Sequence, residues 1–372
     1  MQRRDLLGLG AGLSAALAGC ASITGDDGTP SGSSTGTADA DPAATTDAPD
    51  TTSTTAAGEA LRGVYVQTFE ETMSMQGTAR SGRYEFASMF TVPHTFWNVN
   101  GSSVQETPRN DEDSIHLMAN VWDTETRTVL PETGLSVQIL QDGETVSEEV
   151  IYPMLSQPMG FHYGANFSLP GDGSYTTRFS VGGLSIRRTG AFEGLFGDPA
   201  TVDIPLEFTD ETRSAVSSTD IEQGGEPGAL APMEMGMMPQ AIAPTVEELP
   251  GETLGRARSN DAVFVLTQQS PPAGVESDAG SYLVASVRTR YNRLLLPAMA
   301  LEATVTRDGE TVFEGSLRRS LDPDLLYHYG AAAPTLESGD TVRLTVTTPP
   351  QVARHEGYEE AFLRLTPMEI TV

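Results

Sequence analysis

The stretch from Tyr152 to Asn166, "YPMLSQPMGFHYGAN", brings Met154, Met159 and His162 close together in the chain. Thioether sulfur and imidazole nitrogen are the soft and borderline donors that favour Cu(I), Cu(II) and the late divalent metals, so these residues read as metal ligands. A second histidine, His116, sits in the strand-like run "IHLMANVW". Residues two apart on a strand face the same side, so His116 and Met118 project together. If the 152–166 segment runs alongside, His116, Met118, Met154, Met159 and His162 form a soft ligand set drawn from separate strands. That set suits Cu(I) well and Fe(II) or Cu(II) less well, because hard oxygen donors are missing. Each residue also has a plainer role open to it. Met118 and Met154 can fill core, and His162 can simply bond to backbone.

The elements that must position these residues are short alternating or β-branched runs separated by Asp-Gly and Gly-rich turns, with no amphipathic helix among them. "RGVYVQTF", "YEFASMFTV", "SIHLMANVWD", "GLSVQILQDGETVSEEVIY", "ANFSL" and "SYTTRFSVGG" all read as strands. Asp142-Gly143 supplies the left-handed pair of a tight hairpin turn. Many such strands at short spacing predict an all-β chain of immunoglobulin-like sandwiches.

The pattern is then repeated. Asp142 to Thr145 matches Asp308 to Thr311, His162 to Ala165 matches His328 to Ala331, and Gly173 matches Gly339, every pair 166 residues apart. We therefore expect an internal duplication, with one sandwich over 59–212, a Pro/Met-rich linker over 213–254 and a second sandwich over 255–372. In the second copy Tyr282, Ser320 and Leu325 stand where His116, Met154 and Met159 stand in the first, while His328 and His355 remain. That copy is either a degenerate partner or the donor of one or two ligands across the domain interface. His94, in "VPHTFWNV", is a further ligand or a packing residue. The linker carries Met233, Met235, Met237 and Met238, a Cu(I)-binding tract or a packing segment.

The chain of 372 residues has a formal net charge of −29, and its 22 basic residues are all arginine. An acidic, lysine-free surface stays hydrated where salt screens charge to a few ångströms, which points to a halophilic, archaeal origin. It also excludes nucleic acid as a partner, since no basic patch offsets phosphates. Arg3-Arg4, an apolar run from Leu6 to Ala18 and "LAGC" ending at Cys20 make residues 1–20 a twin-arginine export signal. The last four resemble a lipobox, so Cys20 is expected to carry lipid and hold the mature protein on the outer face of the membrane. An uncleaved N-terminal helix is the alternative. Cys20 is the single cysteine, which excludes an intrachain disulfide and a thiolate metal site. Residues 21–58, rich in Thr, Ser, Asp, Ala, Gly and Pro, read as a disordered tether.

With "HLMAN" from His116, "YPM" ending at Met154 and "HYGAN" from His162, the chain resembles the bacterial periplasmic iron-uptake proteins of the FetP kind. These are small immunoglobulin-like β-sandwich proteins that bind copper and work beside a ferrous-iron permease. The resemblance covers about residues 88–210 and, more weakly, 261–372. It implies His116, Met154 and His162 as ligands. Met118 replaces a glutamate of the family pattern, which shifts preference toward copper, and Arg187-Arg188 falls where a late family histidine stands. The aligned segment of the second copy holds His355. The family pairs protomers, so the resemblance implies a pseudo-dimer within one chain.

Together these features predict a lipid-anchored, extracytoplasmic protein that handles copper or iron for a partner permease. A copper-sequestering chaperone and an adhesive surface lipoprotein are the alternatives. No nucleophile elbow, phosphate loop or HExxH motif marks the chain as an enzyme.

Overall fold

Strand Ile115–Asp123 shows how the molecule is built, because it is buried at every position. Its odd-numbered residues, Ile115, Leu117, Ala119 and Val121, enter the main hydrophobic core. Its even-numbered residues, His116, Met118, Asn120 and Trp122, are buried on the opposite face. A strand covered on both faces loses the usual polar alternation. By contrast, Ala200–Phe208 alternates strictly between buried and exposed, with one face on the core and one in water.

The computed structural model of the chain describes residues 63–149, 151–275 and 278–372. The expected export signal at 1–20, Cys20 and the expected tether at 21–58 lie outside the described residues. An eight-stranded sheet runs in the order Ser74–Ser81, Tyr84–Thr91, Ile115–Asp123, Gly160–Phe167, Tyr152–Ser156, Ala353–Arg354, Phe96–Asn100, Ser103–Thr107. A four-stranded sheet, Ala200–Phe208, Gly173–Val181, Ser136–Gln141, Glu144–Glu149, lies across the same core. The fold is all-β and sandwich-like, as expected.

The second half follows the same order of pairing. Glu252–Ser259, Ala262–Gln269, Ser281–Thr289, Leu326–Ala333 and Glu310–Asp322 are neighbours in turn, and the sheet continues through Ala300–Arg307, Thr341–Thr348 and Met368–Thr371. Asp142 and Gly143 have φ of 52° and 85°, and Asp308 and Gly309 have 50° and 85°, so both hairpin turns use the left-handed pair that the sequence predicts.

The halves exchange strands. Arg187–Arg188 pairs in parallel with Ser320 and Leu321 of the second half, and Ala353–Arg354 pairs in parallel with Met154 and Leu155 of the first. Both exchanges fall at the 166-residue offset. One hydrophobic core, holding Leu155 and Phe161 together with Leu294 and Tyr358, runs through both halves. Arg354 is fully buried, and its guanidinium donates to the carbonyls of Val352 at 2.6 Å and Pro350 at 2.9 Å, which rigidifies the crossing strand.

One local expectation changes. The segment "RGVYVQTF" forms only an isolated bridge from Tyr65 to Pro227, followed by the short strand Phe69–Glu71 paired with Ser218–Asp220. Its backbone bonds go instead to the linker, Val66 N–H to Glu226 O and Gly225 N–H to Val66 O, both at 2.8 Å. The linker is pinned down: Met238, Ala241, Ala243 and Leu249 are buried, and Asn120 donates to Pro239 O at 3.1 Å.

Candidate metal centre

The site lies on the buried outer face of the eight-stranded sheet. Gly160–Phe167 is its middle strand, and the period of two puts His162, Gly164 and Asn166 on one face. Met154 stands opposite His162 on one neighbouring strand, and His116 opposite Asn166 on the other. The crossing strand Ala353–Arg354 pairs with Met154 and Leu155, and its next residue, His355, donates its backbone N–H to Leu155 O at 3.1 Å. His94 arrives from the segment preceding Phe96–Asn100.

Four imidazoles and one thioether therefore meet. The ligating nitrogens of His94, His116 and His355 lie within 4.8 Å of one another. The ring centroids of His94 and His116 are 4.1 Å apart, those of His94 and His355 4.8 Å, and those of His162 and His355 5.1 Å. His355 Nε2 is 3.3 Å from Met154 Sδ, and His355 Nδ1 is 3.1 Å from His94 Nε2.

Hydrogen bonds on the far side of the His94, His116 and His162 rings orient their lone pairs. His116 Nδ1–H donates to Asn166 Oδ1 at 2.8 Å, and the Asn166 amide in turn donates to His94 O at 2.9 Å. His162 Nδ1–H donates to Gly160 O at 3.0 Å, and His94 Nδ1 faces the Glu71 carboxylate at 3.1 Å. These bonds leave Nε2 of His116 and of His162 as the acceptor nitrogen, and both atoms are buried with no hydrogen-bond partner among the described residues. Ring N–H groups held by a carbonyl or amide, with the other nitrogen turned inward, form the usual outer shell of a metal-binding histidine.

Burial favours the neutral form of the His116, His162 and His355 rings. Burial, then the charge of His94, pushes His116 well below the ordinary imidazole value. Burial lowers His162 to about 4 against the bond to Gly160. His355 is also driven well down, by burial and then by His94, His162 and His116. A neutral imidazole is the form that ligates. Gly164 completes the cradle: a Cβ there would fall 2.8 Å from His116 Nε2 and 3.0 Å from Met154 Sδ, in the space between the two donors. An imidazole-rich set with a thioether and no thiolate suits copper, and suits iron through its nitrogens.

The second half holds the corresponding place closed. Arg187, from the other crossing strand, donates to Ser320 Oγ at 2.9 Å, Tyr282 OH at 2.7 Å and Gly330 O at 2.6 Å. His328 keeps the backbone bond, Nδ1–H to Leu326 O at 3.0 Å, but its Nε2 accepts from Tyr282 OH at 3.0 Å. His328, one of the further ligands the sequence suggested, therefore stands apart from the other four histidines with its lone pair satisfied.

Of the sequence-derived ligands, His116, Met154 and His162 converge, and His94 and His355 join them. Met118 and Met159 do not. They lie in an apolar cluster with Met89, Trp122 and Met238. Met118 shares the face of His116 but stands two residues further along the strand, under the linker. Sequence reasoning passed over Asn166, Gly164 and Glu71. The first two carried a usable signal, since they follow His162 at strand period; Glu71 is one acid among many.

A family model described as a domain of unknown function (DUF7350) matches residues 247–371. No curated protein matches the chain by sequence. Among solved structures, a copper-bound variant of FetP from uropathogenic Escherichia coli is 19% identical, covers 37% of this chain and 98% of its own, and has a TM-score of 0.29. The same protein "as isolated" is 18% identical over 38% of this chain and 97% of its own, with a TM-score of 0.28. Among the described residues no helix is long and apolar enough to cross a membrane.

Proposed function

We propose that this protein is a metal carrier of the cell exterior. It holds one copper or iron ion among His94, His116, Met154, His162 and His355 and serves ferrous-iron uptake through a partner permease. The observation that carries the reading is the pair of inward-facing Nε2 atoms of His116 and His162, buried beside His94, His355 and Met154 and without a hydrogen-bond partner among the described residues. Leaving such acceptors unsatisfied costs about 1–3 kcal/mol each, which a bound ion would recover. The contrast with His328, whose Nε2 is satisfied, supports the same reading.

Copper is the better match for the donors, because the thioether of Met154 sits beside His355 and, among the described residues, Glu71 behind His94 is the carboxylate that reaches the cluster. The lipid anchor at Cys20 and extracytoplasmic placement rest on "LAGC" and the Arg3-Arg4 start. The permease partner rests on the motif resemblance. The role is binding and delivery, with no catalysis.

Elemental analysis of the purified protein tests the reading. Wild type should carry about one equivalent of copper or iron at the imidazole cluster, and His116→Ala/His162→Ala should lose it. Unchanged metal content in the double variant would remove the basis of the proposal. Expression that rises on copper excess and not on iron starvation would favour copper sequestration over iron uptake.

A further inference from the structure

Six of the chain's 13 methionines, Met73, Met75, Met233, Met235, Met237 and Met238, line one open cavity of about 570 Å³. They come from two distant segments, one following strand Phe69–Glu71 and the other the linker. No leucine, isoleucine, valine or aromatic residue lines the cavity among the described residues, so its apolar wall is thioether throughout. A pocket for an apolar molecule is ordinarily lined by aliphatic and aromatic side chains. Three carboxylates, Glu70, Glu71 and Glu234, supply its charge and make it attractive to a cation.

The methionines are neither all core nor all surface. Met237 is 62% exposed at the mouth, whereas Met238 is buried at the base. Met73, Met235 and Met238 pack onto Met89, Met118 and Met159, so sulfur continues inward to the strand that carries His116. Glu71 forms part of the cavity wall and accepts from His94 Nδ1–H at 3.1 Å. The cavity and the imidazole cluster thus adjoin through one carboxylate.

We infer that this cavity is a second Cu(I) site, with thioethers as its ligands. It takes the ion from outside and lies next to the imidazole cluster. Thioethers are neutral, polarisable and soft, so a site made of them selects Cu(I) over Fe(II), Zn(II) and the alkaline-earth ions, which prefer nitrogen or oxygen. Unbranched methionines on a linker can adjust their rotamers around an ion without repacking a core. The inference stands on the cavity's own residues and does not need the imidazole cluster to bind metal.

Anaerobic titration of the whole protein with Cu(I), against a chromophoric Cu(I) chelator, tests it. Wild type should bind two equivalents. Met73→Leu/Met235→Leu/Met237→Leu, which conserves volume, should bind one, and His116→Ala/His162→Ala should keep one. X-ray absorption at the copper edge of the histidine double variant should show sulfur neighbours and no imidazole scattering. Two equivalents in the triple leucine variant, or nitrogen and oxygen neighbours alone in the histidine variant, would overturn the inference. Loss of no copper in the histidine variant relative to wild type would instead count against the imidazole centre and leave the thioether site standing.

Discussion

Gly164→Ala is the sharpest perturbation of the imidazole centre, because it removes no ligand. The new Cβ would stand 2.8 Å from His116 Nε2 and 3.0 Å from Met154 Sδ. Non-bonded heavy atoms settle near 3.5–4.0 Å, so both donors must retreat by roughly 0.5 Å or more. Metal–ligand distances tolerate about 0.2 Å, so the retreat takes at least one donor out of coordination. Misplacing a ligand through its surroundings typically lowers affinity by 10–100-fold, and two are disturbed here, so we expect about 100-fold or more, near 3 kcal/mol. The fold should lose only about 1–3 kcal/mol from overpacking. Gly330→Ala is the matched control: it stands at the same place in the second half, where a Cβ would run into the Tyr282 ring. It should destabilise the fold and leave affinity for the ion at the imidazole centre within about twofold, on the ordinary independence of separated sites. Copper affinity is read by chelator competition in the triple leucine background, and stability by thermal unfolding. Wild-type affinity in Gly164→Ala, or equal losses in both variants, would refute the placement of the ion between His116 and Met154.

Four further outcomes follow from the same geometry. His355→Ala removes the one ligand supplied by the second half and should weaken copper binding by at least tenfold in the same competition assay, on the usual scale for disturbing a ligand shell. Asn166→Ala frees the His116 ring and the His94 carbonyl and should cost about 10–100-fold in affinity with the ligand set intact. Burial holds His328 at about 4 in the folded state, so the unfolded chain takes up a proton as pH falls from about 6.5 toward 4 and stability drops by up to roughly 3 kcal/mol; His328→Gln should reduce proton uptake on unfolding in that window by about one. Arg307, bonded twice to Asp340 at 2.8 Å, holds that carboxyl below its ordinary value, a contribution present above the usual carboxylate range and lost as pH falls through the folded value; Arg307→Ala should move acid unfolding to higher pH by circular dichroism.

Much of the fold was legible because strand period and turn chemistry are local signals. Asp142-Gly143 announces its hairpin, whereas the half-solvated strand at Ala200–Phe208 is missing from the sequence reading although its alternation is a signal of the same kind. The core of the site was legible for the same reason, since "HYGAN" presents His162, Gly164 and Asn166 on one face. What escaped was non-local. Nothing in "ARHEGYEEAF" says that its strand pairs with Met154 and not within its own half, since that pairing depends on a two-residue crossing strand too short to have a pattern. Met118 was assigned to the centre because period two gives a face but not a distance along it, and the linker's claim on that face could not be read from the strand itself.

The two crossings explain why one half can offer a metal site and the other does not. In each, a histidine with its Nδ1–H tied to backbone, a glycine on the next turn of the same strand face, and a residue delivered by the opposite half enclose a small polar space. In the second half the delivered residue is Arg187, a cation on its own side chain, and it gives protons to Ser320, Tyr282 and Gly330. In the first half the delivered residue is His355, an imidazole and not a cation, and the acceptors His116 Nε2 and His162 Nε2 have no hydrogen-bond partner among the described residues, which on the proposed reading a bound ion supplies. By this logic an ion bound at His355 takes the place of Arg187 as the electrostatic link between halves. Copper at 100 times its dissociation constant should then stabilise the protein by about 2.7 kcal/mol.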